Sequence, residues 1–190
     1  MKILNAVFIT LLTFNIASNV SAHFVAKRSL AQSNSPLAKS YPNAKIKANQ
    51  LNDAVLAEDY EKAADLTHQK LIQLIGGRAK YLRILKEGMN EIQSEGFRLI
   101  STVSEDPTQI IEVGSDVYAV LPTTMKIKVA EGLLVGQSSL IGFSNDRGEH
   151  WAFVDAGRGF SQEQLRVLFP AVADRLKIPE QKRPVLQRAP

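Results

Sequence analysis

No cysteine occurs among the 190 residues. That absence removes disulfides, thiol nucleophiles and thiolate-ligated metals together. Histidine is scarce: the three are His23, His68 and His150. They stand far apart, with no His-x-x-x-His or His-carboxylate cluster of metal-ligand spacing. No apolar run reaches the roughly 20 residues of a membrane span. No segment repeats, which excludes propellers and solenoids. Charge of one sign is barely in excess, 23 Lys and Arg against 19 Asp and Glu for a net +4. The basic residues are interleaved with acids, whereas a nucleic-acid binder concentrates them on one helix or face. Neither a metal, a cofactor nor a nucleic acid is therefore expected.

The chain does carry an address. Lys2 precedes a largely apolar stretch from Ile3 to Ala17, and Val20 and Ala22 sit where a signal peptidase wants small residues. Met1–Ala22 reads as a secretory signal peptide cleaved after Ala22, leaving an exported protein, periplasmic or secreted, with no stable membrane anchor. Removing Lys2 lowers the net charge from +4 to +3. Residues 23–43 are rich in Ser, Ala, Asn and Pro without periodicity, which reads as a flexible leader. Residues 44–178 form the expected single domain. From Pro179 to the end Pro, Lys, Arg and Gln dominate, so 179–190 reads as a mobile basic tail.

Within the domain, helical periods come first. Ile46, Leu51, Ala54 and Val55 share one face, Asp59 can cap a second helix from Tyr60 to about Thr67, and Leu71–Ile75 reads as a short apolar turn ending at Gly76-Gly77. Leu82, Leu85, Met89 and Ile92 give a third helix, Arg78 to about Ser94, with Gly96 placed to end it. The period then changes to two: Phe97–Val103, Val117–Leu121 and Met125–Val129 alternate, separated by turn residues such as Gly114-Ser115 and Ala130-Glu131-Gly132. Connections this short join antiparallel strands. Ser161 and Gln164 frame a capping box for a short C-terminal helix. The expected fold is α+β: three N-terminal helices packed on a curved antiparallel sheet of about five strands, with that helix after it.

The run Leu56-Ala57-Glu58-Asp59-Tyr60, then Ala63-Ala64-Asp65-Leu66-Thr67-His68, then Gly76-Gly77 resembles the opening of the nuclear transport factor 2-like superfamily, the ketosteroid-isomerase-like cystatin-type cone. The resemblance covers roughly 44–157. It implies a cone-shaped roll, its sheet strongly curved, with one deep pocket between helices and sheet. Members include isomerases, dehydratases, cyclases and binding or assembly domains, and they often dimerise through the sheet face, so fold alone names no activity.

Ser144-Asn145-Asp146-Arg147-Gly148-Glu149-His150-Trp151 matches the spacing of a sialidase-type Asp-box, with His150 where threonine is usual. Its logic is local: the carboxylate takes turn amides, glycine takes positive φ, and tryptophan packs beneath. It reads as a rigid hairpin. Asp155 ends the strand Trp151–Asp155 and by alternation shares a face with Trp151 and Phe153. Facing inward among aromatics, it would have a raised pKa suited to acid–base work; facing outward, it would only cap the turn at Gly157. His68, at a helix end, is either a dipole-stabilised terminus or a donor to the same chemistry. Tyr60, Tyr81 and Tyr118, with Trp151 and Phe153, are the expected pocket lining. The ketosteroid-isomerase-like pairing of tyrosine with aspartate does not map onto these positions residue by residue. Lys126 and Lys128, on the polar side of one strand, read as a solvated face or a contact for an acidic partner. The expectation is an exported, non-catalytic module binding a small apolar ligand or a protein, with two alternatives: an isomerase or hydro-lyase using Asp155 as base, or a secreted effector acting through a partner.

Overall fold

The computed structural model of the chain describes residues 41–157 and 159–188. The expected signal peptide, His23 and the leader as far as Ser40 lie outside them. The first helix, α1 (Pro42–Leu56), starts at Pro42 instead of Ala44, with proline at a first-turn position where its missing N–H costs nothing. Tyr41, assigned above to the leader, is core, 7% exposed. The Asp59 side chain accepts from the Lys62 N–H and opens α2 (Tyr60–Asp65) as expected. The stretch read as an apolar turn is instead a helix, α3 (Gln69–Ile75). Gly76 ends it in the left-handed region at φ 110°, which suits glycine, and Leu71 and Ile72 are buried along it. Next comes α4 (Arg78–Ser94), which buries Tyr81, Leu85, Gly88 and Met89.

Six strands follow: β1 (Arg98–Ser104), β2 (Gln109–Val113), β3 (Asp116–Val129), β4 (Gly132–Ser144), β5 (Ala152–Asp155) and β6 (Val185–Arg188). They form one strongly curved antiparallel half-barrel of order β1-β3-β4-β5, with β2 also on β3 and β6 also on β4. The two runs Val117–Leu121 and Met125–Val129 belong to one strand across Pro122. The Pro122 carbonyl accepts from the Glu105 N–H at 2.8 Å. Its missing N–H points the same way, into the gap where β1 ends and β2 has yet to begin, so the β3–β4 ladder runs on unbroken. The C-terminal helix, α5 (Gln162–Leu168), carries the Ser161/Gln164 capping box. The tail, read above as mobile, ends in β6, whose four side chains are all exposed.

Each sheet face has its own core. The helix-side face presents Val117, Ala119, Leu121, Leu140, Trp151 and Phe153 to α1, α2, α3 and α4. Ala44 and Ala48 are wholly buried, and such small residues let α1 lie close to the sheet. A buried polar chain pins α1 to the strands: Asn52 Nδ2 donates to Ser104 Oγ at 3.0 Å, and Ser104 Oγ meets Thr123 Oγ1 at 2.9 Å. The tail-side face presents Ile111, Tyr118, Val120, Ile141 and Val154 to α5 and the segment after it, through Leu165, Phe169, Val172 and Leu176. Fully burying one such aliphatic or aromatic side chain is worth about 1.5–3 kcal/mol. Among the described residues no helix is long and apolar enough to cross a membrane.

Candidate functional site

The turn between β4 and β5 determines where β5 goes. Ser144 Oγ donates to Asp146 Oδ1 at 2.7 Å and accepts from the Gly148 N–H at 2.9 Å. Asp146 also accepts from the His150 N–H at 2.9 Å and from its ring Nδ1 at 2.5 Å. The His150 amide, then the Ser144 hydroxyl, then the His150 ring hold the Asp146 carboxyl well below the usual carboxylate range. Arg147 and Gly148 both take positive φ, 60° and 92°. Trp151 Nε1 donates back to the Gly148 carbonyl at 2.9 Å, and its ring meets Tyr41 edge-on with centroids 5.9 Å apart. The expected rigid hairpin is thus closed by side chains, and β5 leaves it with Trp151 and Phe153 turned to the helix side.

Asp155 follows on that same face, opposite Leu140 of β4. It keeps solvent contact at the end of the strand, yet protein crowds it, and this burial pushes its pKa up to about 6 against the opposing pull of the Gly157 N–H. Tyr81 lies within its electrostatic reach: burial first, and the Asp155 carboxylate besides, raise the phenol's pKa, while its bond to Thr67 lowers it. Tyr81 is not a free acid. Thr67 Oγ1 gives its one proton to the Ala63 carbonyl at 2.8 Å, so in the 2.8 Å contact between Thr67 and Tyr81 the tyrosine donates.

His68 lies on the other side of the sheet. Its N–H donates to the Phe153 carbonyl at 2.9 Å, but its ring belongs to the tail side, edge-on to Phe143 and Phe169 with both centroids at 5.1 Å. Nδ1 is buried without a partner, and burial, then the charge of Lys70, lowers the ring's pKa to about 4. Tyr118 joins this cluster through Phe143 and Phe169, with its hydroxyl directed to Asp116 at 3.4 Å; burial and then Asp116 raise its pKa. Asp155 and His68 are therefore separated by the sheet and not brought together.

The expected pocket lining divides likewise. Trp151 and Phe153 are 4% and 1% exposed and stack on one another, so their faces are spent on the core. Tyr81 is buried beside them, Tyr118 is on the opposite face, and Tyr60, the first residue of α2, is part-buried against the helix-side core, its pKa raised by burial and by Glu58. Only Tyr81 keeps company with Asp155. A cleft of about 120 Å³, announced by no pattern of residues, lies between Pro122–Thr124, Gln137–Ser139 and Pro179–Gln181. Beside it Gln181 Nε2 donates to the Ala156 carbonyl at 2.6 Å, tying the tail to the residue after Asp155. Among the described residues no three His, Asp or Glu side chains are grouped to hold a metal ion. No family model, curated protein or solved structure matches the chain.

Proposed function

We propose that the chain is a non-catalytic binding module of nuclear transport factor 2-like build, exported after cleavage near Ala22, and that Asp155 is its recognition carboxylate. The observation that carries this reading is the state of Asp155: solvent-reachable, crowded by protein on the helix-side face, and without an acid partner. The phenol nearest to it in charge, Tyr81, has its proton committed to Thr67, and His68 lies across the sheet. A carboxylate so placed can accept from a donor or cation on a ligand. The second reading is a small isomerase or hydro-lyase with Asp155 as general base, favoured by its pKa of about 6, which matches a base working near neutrality. A secreted effector acting through a partner is the third, and has only the exposed basic tail in its favour.

Native mass spectrometry on protein recovered from the exported fraction tests the first reading. The expected result is a retained compound of small-molecule mass, whose affinity falls at least about tenfold in Asp155→Asn, the loss of one charge-assisted hydrogen bond. Retention that Asp155→Asn leaves untouched overturns the role of Asp155. Turnover of that compound, abolished in the same variant, would decide for the enzyme.

A further inference from the structure

The segment after β5 covers only part of the tail-side face. It packs on Tyr118, Val120, Ile141 and Val154, and leaves the other end of the same strands uncovered among the described residues. The ladders define what is exposed there. Arg98 of β1 stands directly opposite Lys128 of β3, and Lys126 lies two residues along β3 on the same face. Lys128 and Lys126 in turn oppose Leu133 and Val135 of β4, and Val135 opposes Val185 of β6. Val103, opposite Thr124, completes the row at 45% exposed, and Val185 is 63% exposed.

Directly opposed residues have Cβ atoms about 4.5–5.5 Å apart, and like charges so placed repel. Residues two apart along a strand are separated by about 7 Å. Arg98, Lys126 and Lys128 are thus held together, all exposed, with no ion pair among the described residues. Glu131, in the turn beyond them, and Glu180, at the cleft beside Thr124 and Gln137, pair with none of the three. The fold therefore tolerates a repulsion that one acidic cross-strand neighbour would remove.

We infer that this half-face, Arg98, Lys126 and Lys128 set among Val103, Val135 and Val185, is a reversible docking surface for a bilayer bearing anionic phospholipid headgroups. Charge complementarity sets the sign of the partner. A second copy docking the same face about a two-fold axis would bring the three cations against themselves. A small anion would need converging donors, whereas the three cations stand side by side on one sheet face. A fluid anionic surface needs neither, since its headgroups move to meet the cations while the valines meet the interface. Three cations and a few aliphatic side chains make a weak and salt-sensitive contact, not an anchor. This surface is separate from the Asp155 site, and its fate does not depend on that reading.

The test is vesicle co-sedimentation with the protein as recovered from its producing cells, its N-terminus first read by mass spectrometry. Binding is expected to phosphatidylglycerol-containing vesicles and not to pure phosphatidylcholine. It should weaken about fivefold for each lysine neutralised, hence about 30-fold in K126Q/K128Q, on a scale of about 1 kcal/mol per basic residue. Raising ionic strength to about 0.5 M should abolish it. R98Q, a substitution on a different strand, should repeat the single-charge effect if the double variant misfolds. Four outcomes overturn the assignment: no binding to the anionic vesicles; binding that K126Q/K128Q leaves intact and K182Q/R183Q removes, which gives it to the tail; self-association in light scattering that K126Q/K128Q abolishes, without vesicle binding; and capture by polyglutamate without vesicle binding, which gives the face to an acidic protein.

Discussion

A β-carbon added at Gly148 would overlap the Tyr41 ring, whereas one added at Gly114 would meet open space, although both residues have positive φ, 92° and 63°. The pair separates backbone strain from crowding. Gly114→Ala should show only the cost of a left-handed alanine, about 1–2 kcal/mol. Gly148→Ala should be less stable than that by at least about 1 kcal/mol more, because Tyr41 is held between the turn and α1 and cannot retreat without opening the core. Urea unfolding of the two variants side by side measures the difference; equal losses would mean that Tyr41 yields freely. Asp155 offers a second residue-scale check. Its carboxyl resonance, followed by carbon-detected NMR, should titrate near pH 6 and vanish in Asp155→Asn. A midpoint in the ordinary range near 3.9 would mean that water, not protein, surrounds it.

At the scale of elements, β6 differs in kind from its neighbours. Its four residues are exposed and contribute ladder hydrogen bonds to β4 without burying a side chain, while Ala119, Val120 and Leu121 in β3 are wholly buried. Amide exchange should follow that contrast: residues 185–188 should open locally and exchange at least about 100-fold faster than 119–121, which open only with the whole domain. Equal protection would mean that the tail is part of the cooperative core. The same contrast explains what the sequence disclosed. Alternation and helical period place α4, β1, the β4–β5 hairpin and the α5 capping box within a residue or two, because each is specified by its own side chains. The helix at Gln69–Ile75 was hidden because its seven residues are too few to display a period, and only the left-handed Gly76 marks its end. Alternation reads β3 as two runs, Val117–Leu121 and Met125–Val129; that they continue through Pro122 depends on where β1 and β2 stop, which is tertiary information. β6 has four residues of mixed character and exists only because β4 offers an edge. Asp155 was placed on the face of Trp151 and Phe153 by alternation alone. That His68 faces away from it could not be read, since the turn from α2 into α3 decides which side of the sheet the ring enters.

For the molecule as a whole, acid stability depends on groups that pull in opposite directions. His68 has a folded pKa of about 4 against 6.5 in the unfolded chain, so between those values the unfolded state holds the extra proton and stability falls as pH falls. The ring is 9% exposed. Its full contribution is about 3 kcal/mol, lost from pH 6.5 down to about 4. Asp155 works the other way: its folded pKa of about 6 lies above the unfolded value of 3.8, so the folded state holds the proton between them and stability rises as pH falls through that window. Because Asp155 keeps solvent contact, its contribution is the smaller one. Asp146, held low, contributes throughout this range and loses that contribution only as pH falls below the ordinary carboxylate value. His68→Phe should therefore do more than flatten the curve. A phenyl ring suits a site already walled by Phe143 and Phe169 and leaves no buried nitrogen unpaired, so the variant should be at least as stable at pH 7. Between pH 6 and 4, with only the Asp155 contribution left of the pair, its stability should hold level or rise while the parent protein declines. Thermal unfolding at half-unit pH steps measures both curves. A parallel decline in the two proteins would place the acid sensitivity elsewhere and leave the His68 ring in contact with water.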